Sequence, residues 1–250
     1  MGQLKTIAKH LAIRAGRLGA VQRRLGSLSS LHWILQRQLL FERLGIDLVL
    51  DVGANEGQFA GEVRNIYPGE IISFEPVSSA YAKLAANSSR DPLWKTKQLA
   101  LGEDNATGSI NVAKFGTFNS FLKTSSYCDQ HFGPDAGGAS TEAVSVRRLD
   151  DVLTELVPDI QQRRAFLKVD TQGYDLRVLR GLGDKLGCFS AVQCEVSMIP
   201  LYNGMPHWTE TLSFLERAGF APVGFAPVVV DNLAVVESDC LLIRVAARNP

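Results

Sequence analysis

The sequence predicts an α/β protein built on a mainly parallel sheet with helices on both faces. Three observations predict it. From about residue 46, apolar strand segments alternate with helical ones. The first strand runs into a glycine turn, Leu48-Val-Leu-Asp-Val-Gly-Ala-Asn-Glu-Gly-Gln-Phe59. The second, Ile71-Ile-Ser-Phe-Glu-Pro76, ends in an acid about 20 residues past that turn. An acid there is what a nucleoside-binding α/β fold uses to hold ribose hydroxyls.

The elements follow in order. Strand one is Leu48–Val52, and a helix covers 58–67. Strand two is Ile71–Phe74, followed by a helix over 79–87 that Ser78 or Ser79 can cap. A third strand lies near 95–101, and 102–108 is a turn. Residues 109–114 suit a short extra strand. Residues 116–142 are rich in Gly, Ser and Thr and weakly periodic; a loop of that length is usually functional or mobile. A short strand at 144–147 and a helix over 149–157 come next. Phe166-Leu-Lys-Val-Asp170 is a buried strand ending in an acid, and the helix after it runs from Tyr174 to about Gly183. Ala191-Val-Gln-Cys-Glu195 repeats the arrangement. A helix over 209–218 is closed by Gly219. Segments 220–230 and 240–245 have no helix between them and read as a closing antiparallel hairpin.

Composition narrows the class. Of 250 residues, 46% are hydrophobic and 21% charged, with zero formal net charge. That is enough apolar material for one large core with an appendage, and it gives no electrostatic footprint for nucleic acid, so no nucleic-acid partner is expected. Cys128, Cys188, Cys194 and Cys240 are scattered, without a disulfide or zinc spacing, and read as buried free thiols. No apolar run approaches a membrane span, and the N-terminus lacks the core and cleavage site of a signal peptide; a cytoplasmic protein is expected. Residues 1–45 form a basic helical appendage to a domain over 46–250. Within 1–44, eight Lys and Arg face the single acid Glu42. Leu4, Ile7, Ala8, Leu11 and Leu18 fall near helical spacing. Two readings stand: peripheral contact with an anionic membrane, or a solvated helix packed on the core or a second subunit, which makes a homodimer credible. A second helical piece, 28–44, carries Trp33, Ile34, Leu39, Leu40 and Phe41.

The glycine turn also selects a cofactor. A dinucleotide site wants a third glycine for close helix–strand packing; here the order is Gly53-Ala-Asn-Glu-Gly57. Asp51, just before it, would repel a pyrophosphate and suits a cationic ligand such as S-adenosylmethionine (SAM). The turn lets backbone approach that ligand.

Ligands of open α/β sheets bind beyond the carboxyl ends of the strands, where Asp51, Glu75, Asp170 and Glu195 are expected along one rim. Asp51 would lie near the aminoacyl end of the cofactor. Glu75 would accept the ribose hydroxyls, or cap the helix after Pro76. Asp170 and Glu195 lie toward the transferable methyl group. An alcohol acceptor must lose its proton as the methyl arrives, so it needs a carboxylate base or a cation. The same two acids can share Mg²⁺. Gln172 follows in a tight turn and either donates to substrate or serves the turn alone. His207 is a further candidate base or ligand, with a plain loop residue as the alternative; His10, His32 and His131 show no partners. Asn119 and Ser120, in Phe118-Asn-Ser-Phe121, would close over the cofactor.

Jointly these pieces resemble the FkbM-type SAM-dependent methyltransferases. The resemblance rests on Asp51-Val-Gly-Ala-Asn-Glu-Gly-Gln-Phe59, Phe74-Glu-Pro76, Leu99-Ala-Leu-Gly102, Asn119-Ser120, Lys168-Val-Asp-Thr-Gln-Gly-Tyr-Asp175, Val178-Leu-Arg-Gly181, and Glu195 followed by Leu201-Tyr-Asn-Gly204. It covers roughly 46–245, in family order. It implies a Rossmann-like class I fold, with a seven-stranded sheet and an antiparallel last strand. It implies O-methylation of a small-molecule or glycolipid hydroxyl, typically on a sugar or polyketide. Asp51, Gly53, Asn55, Gly57 and Glu75 would contact the cofactor, and Asp170 and Glu195 the acceptor. Asp175 stands where family members often carry Glu, a conservative departure. The N-terminal region inherits nothing. Two competitors remain: an NAD-linked oxidoreductase on a similar sheet, and a SAM-binding module without catalysis.

Overall fold

A computed structural model describes residues 31–114 and 116–245. The chain divides into two compact units, Met1–Glu42 and Arg43–Pro250. In the first, described from residue 31, the chain is helical (α1, 31–44, which runs just past the division). It buries Trp33, Leu40 and Phe41 and leaves Leu31, Leu35 and Leu39 exposed. The helical reading of residues 4–18 lies outside the described residues. Among those described, no helix is long and apolar enough to cross a membrane.

The second unit is built on a seven-stranded sheet. Its strands are β1 (Leu48–Val52), β2 (Glu70–Phe74), β3 (Trp94–Lys97), β7 (Ala165–Val169), β8 (Phe189–Ser197), β9 (Phe220–Asp231) and β10 (Ala234–Arg244), in the order β3-β2-β1-β7-β8-β10-β9. All run parallel except β10, which pairs antiparallel with both β8 and β9. This is the Rossmann-like sheet with an antiparallel last strand. The order reverses between β1 and β7, the switch point at which such sheets open a crevice for ligands.

The pattern of side chains explains the layers. β1 and β7 are buried along their whole length. Leu48, Leu50, Val52, Leu167 and Val169 join a large core with α5 (Leu149–Leu156), α6 (Asp175–Arg180) and α7 (Trp208–Arg217). Because strand side chains alternate, the residues between them project to the opposite face. There Phe166 stacks on Phe59 of α2 (Gln58–Val63). The same alternation aligns Ser73, Asp51 and Lys168 in register across β2, β1 and β7.

Several boundaries differ from expectation. α2 ends at Val63 rather than near 67, and Asn65 Nδ2 donates back to the Gly61 and Glu62 carbonyls. The helix expected over 79–87 is α3 (Ser78–Ser88), and no serine caps it. Glu75 Oε1 accepts from Val77 N–H, and Glu142 accepts from Ser78 N–H. The strand expected near 95–101 divides into β3 and β4 (Ala100–Gly102), which belong to different sheets. β4 joins β5 (Ala106–Val112) and β6 (Ser140–Arg148) in a second sheet of order β4-β6-β5. The segment expected as a long loop contains α4 (Ser126–Phe132), whose Ser125 hydroxyl accepts from Cys128 N–H, and the start of β6. All four cysteines are free; Cys128, Cys194 and Cys240 are buried, Cys188 less so.

Gly53 shows how tightly the switch point is closed. It has φ +75, and a Cβ there would lie 1.9 Å from the Asp170 carbonyl oxygen. Glycine is needed because the turns after β1 and β7 touch. Gly61, in α2, would meet nothing within 4 Å. Gly53→Ala should therefore cost more than about 3 kcal/mol, from left-handed strain and backbone overlap. Gly61→Ala should be neutral or stabilising by about 0.5–1 kcal/mol. Urea unfolding of the pair checks this; equal midpoints would refute the contact.

Candidate active site

The floor of the crevice is a buried ion pair. Asp51 has 0% exposure. Its Oδ1 lies 3.2 Å from Lys168 Nζ, and its Oδ2 accepts from Ser73 Oγ at 3.0 Å. Ser73 Oγ in turn accepts from Trp94 Nε1 at 2.9 Å. Burial opposes the Lys168 ammonium, but the Asp51 and Asp170 carboxylates outweigh it and raise its pKa. Lys168 Nζ also donates to the Gly53 carbonyl at 3.0 Å and sits 3.4 Å from Asp170 Oδ2. One ammonium thus ties β1, the glycine turn and the acid at the end of β7. Asp51, expected near the aminoacyl end of the cofactor directly or through water, is buried in the floor with its charge facing Lys168.

On one side of this floor lies Glu75, 5% exposed. Its Oε2 accepts from Asn55 N–H and its Oε1 from Val77 N–H, both at 2.9 Å. It therefore performs the helix-end role and also fixes the glycine turn. Each carboxylate oxygen can accept a second bond, so capacity for ligand hydroxyls remains. Burial pushes its carboxyl up to about 7. Asn55 holds φ +48, and its Oδ1 is buried without a hydrogen-bond partner. Gly57 heads α2 at φ +93, where a Cβ would press within 2.9 Å of the Trp94 ring.

On the other side the acids gather. Gln172 Nε2 donates to Asp170 Oδ1 and to Glu195 Oε2, each at 3.0 Å. Tyr202, expected only as part of a loop, is 1% exposed and donates its hydroxyl to Gln172 Oε1 at 2.7 Å. Burial, then Asp170 and Glu237, push the Glu195 carboxyl well above the usual carboxylate range. Glu237, 5% exposed, accepts from Ser197 Oγ at 2.7 Å, and burial pushes it up to about 7. Asp175 is raised to about 7 by burial and then by Asp170; its Oδ2 accepts from Thr171, while its Oδ1 is buried and unpartnered. Glu195 and Asp175 both line a small cleft, with Ser197, Thr211 and Trp208 on its wall.

The remaining candidates stand elsewhere. His207 is exposed and serves as the N-cap of α7: its Nδ1 accepts from Thr209 N–H, while Glu210 accepts from His207 N–H. This capping role was not among those expected of it. His131, expected without a partner, lies 3.0 Å from Asp231. The Ser120 hydroxyl, expected to close over the cofactor, donates to the Gln172 carbonyl at 2.7 Å. Asn119 Oδ1 accepts from Ala113 N–H. Asp170 and Glu195 do come together, but the Gln172 amide spans them where a shared cation would sit. Among the described residues no group of three His, Cys, Asp or Glu is arranged for a metal. The expected Mg²⁺ site is therefore not supported.

Sequence reasoning missed Lys168, Tyr202, Glu237 and the crowding at Asp175. A lysine inside an otherwise apolar strand was the available signal for the first. An acid shortly before Cys240 gave no such signal for Glu237, because the register of the hairpin decides where it points.

Residues 51–222 match the family model described as the methyltransferase FkbM domain. The chain is 32% identical over 161 residues to methyltransferase sdnD of Sordaria araneosa, covering 55% of this chain and 61% of that protein. It is 28% identical over 148 residues to methyltransferase 1 of Beauveria bassiana (strain ARSEF 2860), covering 55% and 59%. The chain thus spans about three fifths of the length of these curated relatives. Among solved structures, magnesium protoporphyrin IX methyltransferase from Synechocystis PCC 6803, with bound SAM, aligns at TM-score 0.46 and 7% identity over 89% of this chain and 81% of that one.

The raised carboxyls have a consequence for stability. Glu75, Asp175 and Glu237 all sit near 7 in the folded chain, above their ordinary values of 4.5, 3.8 and 4.5. The folded state holds their protons more tightly, so their contribution is fully present below about 4 and is lost as pH rises through about 7. Glu237→Gln keeps an acceptor for Ser197 without the charge. It should remove a pH-dependent loss on the order of 3 kcal/mol between pH 5 and 8.5. Denaturant midpoints at the two pH values read this directly, and parallel curves for variant and wild type would count against it.

Proposed function

We propose that this chain, which belongs to the FkbM methyltransferase domain family, transfers a methyl group from SAM to a hydroxyl of a sugar, glycolipid or related natural product. The observation that carries this reading is the contact between the two turns. Gly53 lies against the Asp170 carbonyl, and Lys168 reaches both turns. A cofactor side built on Glu75 and Asn55 is thereby joined to an acceptor side built on Asp170 and Glu195.

The residues present fit SAM. Glu75 keeps acceptor capacity for ribose hydroxyls, and the orphaned Oδ1 of Asn55 calls for a donor. Bound there, SAM supplies an electrophilic methyl group. The chain has three tasks around it. Glu195, whose proton affinity is raised by burial and by Asp170, takes the proton of the acceptor hydroxyl. Asp170, held by Lys168 and Gln172, accepts a hydrogen bond from the acceptor and orients it. The rigid floor fixes donor and acceptor in line, and such alignment is worth about 7–11 kcal/mol of the barrier.

Two measurements test this. Calorimetric titration of SAM and S-adenosylhomocysteine should show binding to wild type, weakened about tenfold or more in Glu75→Gln. Well-folded wild type that binds neither would sink the proposal. Glu195→Gln should lower kcat by about 10²–10⁴-fold while SAM binding is kept, and Asp170→Asn should also spare SAM binding and cut turnover. Wild-type turnover should rise with pH well beyond the ordinary carboxylate range, because Glu195 acts only when deprotonated.

A further inference from the structure

We propose that Gln172 is a positioning residue: its side-chain amide, oriented by Tyr202, holds Asp170 and Glu195 at a fixed separation above the crevice floor. This rests on the reading of these two acids as the acceptor side. Two carboxylates facing one site repel each other, and a cation is the common remedy. Here a neutral donor takes that place. The amide has two hydrogens, and Nε2 lies 3.0 Å from one oxygen of each acid.

The direction of the amide is set from its other end. A glutamine presented the opposite way would turn its carbonyl toward two carboxylates. Tyr202 prevents this by donating to Oε1 at 2.7 Å. Its ring is packed with Cys128, Leu201 and Val236, and burial keeps its hydroxyl protonated. The backbone is held as well. Gln172 adopts φ +52, a left-handed conformation that strains a non-glycine residue. Ser120 Oγ fastens its carbonyl at 2.7 Å, and Gly173 continues the turn at φ +85. Strain of this kind persists where surrounding contacts over-determine it. The loop after β8 thus holds the side chain of Gln172, through Tyr202, and the segment after β5 holds its backbone carbonyl, through Ser120. A plain turn residue needs none of the three side-chain contacts.

The arrangement divides the labour of the acids. Asp170 keeps its second oxygen 3.4 Å from Lys168 Nζ. Among the described residues no cation pairs with Glu195, and the Gln172 amide stands between it and Asp170. Removing the donor leaves the pair facing each other directly, with the acceptor hydroxyl offered to a shifted base.

The test uses the full chain and two readouts. In ¹⁵N-labelled protein, the Gln172 side-chain NH₂ pair, assigned by its loss in Gln172→Met, should shift in Tyr202→Phe, in Asp170→Asn and in Glu195→Gln. A pair that stays in place in all three overturns the proposal. With a methyl acceptor, Gln172→Met should lower kcat tenfold or more and leave KM for SAM unchanged; Tyr202→Phe should act in the same direction to a smaller extent. Wild-type kcat in Gln172→Met, with SAM binding retained, also overturns it. NMR shifts as expected in a protein that binds SAM and methylates no hydroxyl would support the bridge and defeat the proposed reaction, so the two ideas fail separately.

Discussion

The pair formed by Asp51 and Lys168 governs the architecture around the crevice. It joins the two central strands at the point where the sheet reverses its order. Both charges are buried, and the ammonium is shared with the Gly53 carbonyl and with Asp170. A buried pair of this kind adds little net stability compared with apolar residues of similar size, yet removing one member leaves an uncompensated charge. Its effect is on specification. The polar row from Trp94 through Ser73 and Asp51 to Lys168 crosses β3, β2, β1 and β7, and a slip of one residue in any strand would break it. The row fixes the register, and the register brings the two turns into contact.

Above that floor the electrostatics are asymmetric. Glu75 stands apart, with its oxygens on backbone N–H groups. On the far side burial, and then the Asp170 carboxylate beside them, raise the proton affinity of Asp175, Glu195 and Glu237. Such crowding is unfavourable for folding at neutral pH, and perturbed carboxyls of this kind gather at functional sites. Lys168 and the Gln172 amide hold Asp170, the amide also holds Glu195, and Thr171 and Ser197 donate to Asp175 and Glu237. The crowding of carboxylates thus falls on one side of the floor, while Glu75 on the other is perturbed chiefly by its burial.

Much of this was legible in the residues. Buried parallel strands are near-continuous apolar runs, so β1, β2, β7 and β8 announced themselves, and the acids at their carboxyl ends were plain in the sequence. Asp51 was legible as buried in position and illegible in role, because Lys168 lies 117 residues away and only the neighbour relation of β1 and β7 brings them together. Gly53 was read as room for a ligand, whereas the neighbouring turn sets the requirement. His207 and Glu210 had the spacing of a capping box, a local signal that outweighs proximity to the acid rim. The third strand misled because Trp94–Lys97 and Ala100–Gly102 are both extended; which sheet each joins depends on long-range pairing that local propensity does not encode.

The central claim is that Asp51 and Lys168 act as one unit. A double-mutant cycle on Asp51→Asn and Lys168→Met, followed by guanidinium unfolding, measures it most directly. Each single change should be strongly destabilising and the double change much less than their sum, giving a coupling energy of about 2 kcal/mol or more. Single effects that add to within about 0.5 kcal/mol would mean that the two side chains do not depend on each other, and the account of the crevice floor would be wrong.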